Sequence, residues 1–546
     1  MAKNTTHKLN HHLPWLTITA VLTLLFLTVA AANLPNYFPV SADDGWIMSA
    51  SYKLSNEGIF GSDLYSGFFN AEKHYFIALP VYHFLQAAAL KLFGFGIAQA
   101  RLPNLASAIL LIAVTTILAY RHFSRSTALL TAALLILWRS NLTATEPRVP
   151  LLAYAQSGRY DLTAAALVWT AVLLLDELLR RPRPLTALIL GITAGLAALT
   201  QFFGSFILLP VAAALMLKWG KQLHKQRITH LFAAGFLLVT LPYTIYTLAH
   251  FDDFTGQSVL KQGRTQFLEP SFYIQNILDE PRRLGHLFLG QRDALLGRDV
   301  PLRPFGPWLL SLTLMAAVLY LLKMTLSGKI KSLPLPWFSA LSFALGLTLF
   351  DQTKAPVYAI LLLPGLCLAL AALSTTVIQR LRHMNRPLPI RLAAIAPVLI
   401  LLAVLLLEGA NSHRRQLSQA QEVSPYLAVT ARIENALSPG AVLLGSERWW
   451  PGLKDYPYLS PNGLWARWKL DDEDGRSPQF VEQVQATAAD FIIVNNNVRG
   501  DLGQHSEQLQ SQFWDYLAQC TTLAADWTDV SYGRIEIYQL SDIPNC

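Results

Sequence analysis

Apolar residues fall in blocks close to 17–25 positions long, the length that crosses a hydrocarbon core as a helix. Cutting the chain at the polar breaks predicts spans at 14–33, 102–120, 127–145, 162–179, 185–200, 203–217, 228–249, 306–322, 334–350, 355–377 and 392–409. One further piece, 76–95, is moderately apolar but interrupted by Pro80, His83, Gln86 and Lys91. Beyond about 410 the pattern changes. Helical periodicity at 425–437, 478–487 and 506–517 alternates with short apolar runs at 441–445, 491–494 and 535–540. That alternation predicts a small α/β domain with its own core.

Charge decides the topology. If 76–95 lies along the surface, every short basic loop falls on one side: Arg121 and Arg125; Arg180, Arg181 and Arg183; Lys218, Lys221, Lys225 and Arg227; Lys323, Lys329 and Lys331; Arg380, Arg382, Arg386 and Arg391. If it spans, parity flips and all of them lie outside. The positive-inside rule selects the first arrangement. It gives a polytopic α-helical membrane protein of eleven spans, with the N-terminus inside and the C-terminus outside. The first apolar run reads as an anchor rather than a cleaved signal, although Ala30-Ala31-Ala32-Asn33 is a weak cleavage candidate. The domains expected are a membrane part, 1–410, and a soluble extracytoplasmic tail, 411–546. The outside surface then holds a first loop (34–101), the stretch 145–161, a long loop (250–305), the junction Asp351-Gln352-Thr353-Lys354 and the tail.

Composition agrees: 53% of residues are hydrophobic and 14% charged, against about a quarter charged in soluble proteins. The net charge of +8 sits in the inner loops, so it does not point to nucleic acid. Of three cysteines, Cys520 and Cys546 lie in the tail. An oxidising compartment allows them to pair; two free thiols is the alternative.

The candidate chemistry is acidic. Asp43 and Asp44 fall just past the first span; a solvated Ala-Asp-Asp-Gly turn is the plain reading. Against it, the following residues are crowded with polar aromatics and charges: Tyr52, Lys53, Asp63, Tyr65, Lys73, His74 and Tyr75. Asp161 opens a span, either as a helix cap or as a carboxylate facing a polar cavity. Arg159, two residues earlier, can hold a phosphate or snorkel. Lys354, at the outer mouth of a span with Tyr358 one turn on, suits an anionic headgroup or pairs with Asp351. No His or Cys spacing indicates a metal site, and a divalent ion held by carboxylates is not indicated. A nucleotide turn, P-loop and hydrolase elbow are all missing from the sequence.

The stretches Ala42-Asp43-Asp44-Gly45, Glu72-Lys73 and Ala100-Arg101-Leu102-Pro103-Asn104, followed by Arg159-Tyr160-Asp161 and by Lys354 to Tyr358 with Pro364 beyond, resemble the GT-C membrane glycosyltransferases. Within them the chain is most similar to the protein O-mannosyltransferase and lipid A aminoarabinose transferase branch, over about 10–410. The resemblance implies sugar transfer from a polyprenyl-phosphate carrier to an acceptor hydroxyl (of a protein, a lipid or an envelope glycan) at the outer face of a bacterial inner membrane. It implies Asp43 as the lead catalytic acid, Asp161 as a second, and Lys73, Lys354 and Tyr358 as carrier-phosphate contacts. The chemistry fits: displacing a phosphate at an anomeric carbon needs a base and cations but no nucleotide. Asp44 reads as a further acid of the site or as the turn partner of Asp43. A lipid transporter or flippase is the competing reading; it predicts ionisable groups near mid-membrane, whereas these lie at the outer rims.

Overall fold

The computed structural model describes residues 3–138, 150–258, 260, 267–283, 335–473, 480–503 and 507–540. The apolar blocks within them are helices. In chain order these are α1 (Lys3–Ala31), α2 (Ala42–Glu57), α3 (Pro80–Phe93), α4 (Ile97–His122), α5 (Arg125–Leu137), α6 (Pro150–Ala155), α7 (Asp161–Arg180), α8 (Pro184–Ala198), α9 (Leu208–Trp219) and α10 (Arg227–Ala249). They continue as α11 (Phe251–Ser258), α12 (Pro270–Leu278), α13 (Leu335–Phe350), α14 (Leu363–Arg382) and α15 (Leu388–Glu422). Six segments are long and apolar enough to cross a membrane: Ile97–His122, Asp161–Arg180, Phe202–Lys225, Arg227–Ala249, Leu363–Arg382 and Leu388–Glu434. Trp15–Ala31, α5, α8 and α13 are shorter apolar helices. The expected span 306–322 and the end of the expected span 127–145 lie outside the described residues.

Helix α3, inside the ambiguous piece 76–95, has 14 residues, about 21 Å at 1.5 Å per residue. That is short of a bilayer core. Two expected spans begin as 3₁₀ turns instead of α-helix, Phe202–Ile207 before α9 and Pro356–Leu361 before α14. Helix α15 is longer than the apolar block that predicts it, continuing unbroken to Glu422. Close approach is built with glycine where α8 meets α10. A Cβ at Gly191 would stand 2.1 Å from the Phe232 carbonyl oxygen, and one at Gly235 2.3 Å from that of Leu188. Small residues let membrane helices pack backbone to backbone. The rest of α10 is largely exposed, as a lipid-facing helix would be.

The tail adds α16 (Tyr426–Glu434), α17 (Pro461–Glu473), α18 (Phe480–Gln485), α19 (Asn496–Leu502) and α20 (Glu507–Cys520). Its strands are β1 (Leu443–Gly445), β2 (Tyr458–Leu459), β3 (Phe491–Asn495), β4 (Thr521–Asp529) and β5 (Gly533–Leu540). They form one sheet in the order β2-β1-β3-β5-β4. β1 is parallel to β2 and β3, and β5 is antiparallel to β3 and β4. β1, β3 and β5 are the three expected runs. β4 escapes the sequence reading because it is an edge strand, largely exposed and polar. Alternation along the strands divides the core. Leu444, Ile492 and Val494 pack under α20. Leu443, Phe491, Ile493, Ile535 and Ile537 pack instead in one cluster with Tyr65, Phe68 and Tyr75 of the first loop. The tail is therefore fused to that loop through a shared core. Cys520 is disulfide-bonded, and Cys546 lies outside the described residues.

Candidate active site

Asp43 and Asp44 stand in the first turn of α2, not in a solvated turn. Ser41 caps this helix: its Oγ accepts from the Asp44 N–H at 3.2 Å, and its own N–H donates to Asp44 Oδ2 at 3.0 Å. This reciprocal box satisfies two otherwise unpaired donors and points the helix dipole at both carboxylates. Asp44 then turns inward. It accepts from Arg101 Nε and Nη2, both at 3.2 Å, and from the Gly158 N–H at 2.8 Å. Arg101 is fully buried on α4 and also donates to the carbonyls of Leu34 and Phe38, at 2.9 and 3.0 Å. Burial pushes the Asp44 carboxyl up, but Arg101 and Ser41 outweigh it and hold it below the usual carboxylate range.

Asp43 turns the other way. Trp46 Nε1 donates to its Oδ1 at 2.8 Å, and Arg159 Nη1 donates to its Oδ2. Its side chain is 36% exposed, against 5% for Asp44 and 0% for Asp161. Asp161, at the head of α7, accepts from Arg159 Nε and from Gln201 Nε2, each at 2.8 Å. The arginine is itself positioned by Asn104, whose Nδ2 donates to the carbonyls of Ser157 and Arg159 at 2.6 Å. Asp43, Asp161 and Arg159 thus meet. Tyr160 between them packs edge-on against Trp46 and Tyr82, with ring centroids 6.3 and 6.4 Å away. Tyr358 lies within electrostatic reach of Tyr160 and Tyr154, on the same side.

The lysines divide. Lys73 is exposed, and no described side chain pairs with it. Lys354 is 1% exposed, with a left-handed backbone at φ 51°. Its Nζ lies 3.1 Å from Glu280 Oε2 and donates to the Thr348 carbonyl at 2.8 Å. Asp351, its neighbour in the sequence, pairs with Arg283 at 3.0 Å. Lys354 therefore belongs to a buried ion network with Glu280, Arg283 and Asp351.

Several residues of the site escape the sequence reading. Arg101 and Asn104 lie in a stretch that carried the family resemblance, but nothing in their spacing shows whom they bind. Gln201 lies in the short break between the expected spans 185–200 and 203–217. His74, His250 and Asp253 place one potential ligand atom each within 4.8 Å of one another, a group that could hold a metal ion. His74 Nδ1 and Asp253 Oδ2 are 2.7 Å apart, and the two imidazoles stack at 3.6 Å. These residues come from two distant loops, so no local spacing announces them. The tail contributes Glu447, buried in a 3₁₀ turn after β1.

Residues 78–246 match the model of the dolichyl-phosphate-mannose-protein mannosyltransferase family. That segment carries Arg101, Asn104, Arg159 and Asp161. The fold is shared with three solved structures. ArnT of Cupriavidus metallidurans, solved bound to undecaprenyl phosphate, superposes with a TM-score of 0.57 at 13% identity, covering 97% of this chain and 98% of that one. The apo oligosaccharyltransferase of Archaeoglobus fulgidus gives a TM-score of 0.59 at 13% identity, over 97% of this chain and 75% of that one. The oligosaccharyltransferase AglB of the same organism, in complex with an inhibitory peptide and a dolichol-phosphate, gives 0.57 at 12% identity, over 98% and 75%. No curated protein sequence matches the chain. At these identities the likeness is one of fold.

Proposed function

We propose that this membrane protein transfers a sugar from a polyprenyl-phosphate carrier to an acceptor hydroxyl, at the outer face of a bacterial cytoplasmic membrane. The N-terminus would be inside, the chain would cross eleven times counting 306–322, and the tail would be outside. The observation that carries this reading is the joining of Asp43 and Asp161 by Arg159 at the mouth of α7, within a GT-C fold. Asp43 is the one of the three acids that reaches solvent, so it is assigned as the base. Trp46 and Arg159 hold both of its oxygens, fixing the direction of its lone pairs.

In the reaction, the acceptor oxygen attacks the anomeric carbon as its proton passes to Asp43. The bond from that carbon to the phosphate oxygen breaks, and the carrier leaves as its monophosphate. A single displacement inverts the anomeric centre. Lys73 is assigned to the departing phosphate, because it is the unpaired cation among the site candidates. Arg159 and Tyr358 are assigned to the same phosphate. Asp44 and Asp161 act through Arg101 and Arg159, as positioning groups. The test is Asp43→Asn in the full-length protein. Transfer from lipid-linked sugar should fall by a factor of about 10²–10⁴, the usual worth of a general base, with insertion and thermal stability unchanged. Full activity in that variant would refute the assignment.

A further inference from the structure

The first loop and the end of α10 meet at three side chains of the kind that bind metals. His250 caps α10, and the chain passes straight into α11, whose first turn carries Asp253. His74 ends a tight turn of the first loop, in which the N–H groups of Lys73 and His74 both donate to the Asn70 carbonyl at 2.8 Å. Helix α11 is seated on this turn by a residue outside the group. The buried Gln257 donates through Nε2 to the carbonyls of Phe69 and His74, at 3.0 and 2.6 Å, and its Oε1 accepts from the Phe76 N–H at 2.8 Å. The loop and the helix are thereby held together at the level of the three side chains.

One ligand atom from each of His74, His250 and Asp253 lies within 4.8 Å of the other two, and all three side chains are half-buried. His74 Nδ1 stands 2.7 Å from Asp253 Oδ2, and the two imidazoles stack with centroids 3.6 Å apart and a tilt of 23°. A hydrogen-bonded His–Asp pair needs no second imidazole, yet His250 is laid against the first. The carboxylate is also aimed from behind: Asp253 Oδ1 accepts from Asn70 Nδ2 at 2.8 Å, the kind of outer bond that orients a ligating carboxylate. Around a zinc ion, nitrogen and oxygen ligands bond at about 2.0–2.2 Å and so stand roughly 3.4 Å apart. Small side-chain rotations bring this group to that spacing.

We propose that His74, His250 and Asp253 bind one divalent ion of the zinc class, with water in the fourth position. Two imidazoles and a carboxylate suit zinc; magnesium and calcium favour sets made of oxygen. Binding expels the proton shared by His74 and Asp253 into solvent. The ion clamps the first loop to the helix that opens the long outside loop, and fixes the Asn70–His74 turn on which Lys73 sits. It takes no part in the displacement at the anomeric carbon, and the site stands or falls independently of the glycosyl-transfer reading.

The experiment uses the untagged full-length protein in detergent. His7→Ala, His11→Ala and His12→Ala are built into the parent so that the N-terminal histidines contribute no metal binding. The protein is stripped with EDTA, incubated with zinc and desalted, and its metal is counted by inductively coupled plasma mass spectrometry. Thermal unfolding is followed in parallel with zinc or magnesium added. The parent should retain one zinc per chain and melt higher with zinc than with magnesium. His250→Ala and Asp253→Asn should each bind zinc about tenfold or more weakly and lose the zinc-dependent rise in melting temperature. Should His250→Ala fail to fold, Asp253→Asn, which keeps the shape of the side chain and its bond to Asn70, decides alone. A parent that retains no zinc or gains as much from magnesium overturns the site. Folded variants that retain zinc as the parent does also overturn it.

Discussion

Asp43 and Asp161 are bound by one guanidinium: Arg159 donates through Nη1 to the first and through Nε, at 2.8 Å, to the second. An exposed acid at the head of α2 is thereby locked to a buried acid at the head of α7. Only a planar fork spans both at once; an ammonium on a flexible stem is a point charge. Arg159→Lys should therefore lower transfer by roughly tenfold to a hundredfold while leaving thermal stability near wild type. Arg159→Ala should cost more, since it leaves Asp161 buried without its cation. The check is the rate of sugar release from a lipid-linked donor, measured beside a thermal unfolding curve. Equal rates for Lys and wild type would show that the fork is dispensable.

The Asp44–Arg101 pair makes a different prediction, on stability. Both side chains are nearly inaccessible. Removing one partner of such a pair strands a buried charge, at a cost of about 3–5 kcal/mol. Arg101→Ala should express poorly and melt early, and Asp44→Asn combined with Arg101→Met should recover part of the loss. The folded-state pKa of Asp44 is depressed. Its stabilisation is thus present above the ordinary carboxylate pKa and is lost as pH falls through the folded value. Acid should destabilise wild type more than the double variant. An Arg101→Ala protein as stable as wild type would contradict this account.

The legible part of the molecule is the part that depends on local pattern. Apolar blocks show where the helices are. The acids at 43, 44 and 161 stand out as polar groups at the ends of apolar runs. Contacts across the fold are different. Asp44 finds Arg101 and Gly158, and Asp43 finds Arg159, only because α2, α4 and the turn before α7 converge in space. Lys354 shows the same limit: its place at a span mouth is readable, its burial against Glu280 is not. The tail reads as an independent domain because its strands alternate. That one face of its sheet packs on the first loop depends on partners hundreds of positions away.

Asp501, on α19, adds a pH dependence. Burial first, then the nearby charges of Glu447 and Asp43, push its carboxyl up to about 7. The folded value lies above the unfolded one, so the folded state holds a proton that the unfolded state releases. The stability this gives is complete below the ordinary carboxylate pKa of 3.8 and is lost as pH rises towards 7. Asp501→Asn removes the titration. The variant should melt higher than wild type at pH 8 and show little difference at pH 4. Melting curves at the two values in the same detergent decide it; a pH-independent difference would mean that Asp501 acts through packing alone.

Gly45 tests whether the tail must sit on α2 for the site to work. The atoms a Cβ there would meet are backbone, the Glu447 carbonyl oxygen at 1.9 Å and its carbon at 2.5 Å, so no side-chain rotation can make room. Gly45→Ala must push the turn Glu447–Gly452 away from α2 or shift α2 itself. A shift of α2 would loosen the buried Asp44–Arg101 pair and destabilise the helix bundle; a shift of the turn would spare the bundle and lift the tail off α2. Trp449 and Trp450 of that turn are buried in the core that the tail shares with the first loop, so moving the turn costs packing there but leaves the Asp44–Arg101 pair intact. Gly45→Ala should then insert normally, melt below wild type, lose most transfer activity and become easier to cut at 423–425, between α15 and α16. Gly58→Ala is the control. Gly58 closes α2 at φ 73° with open space where its Cβ would go, so the substitution should cost about 1–2 kcal/mol of local stability and leave transfer intact. If Gly45→Ala matches Gly58→Ala in activity, the seating of the tail on α2 is not required for the chemistry.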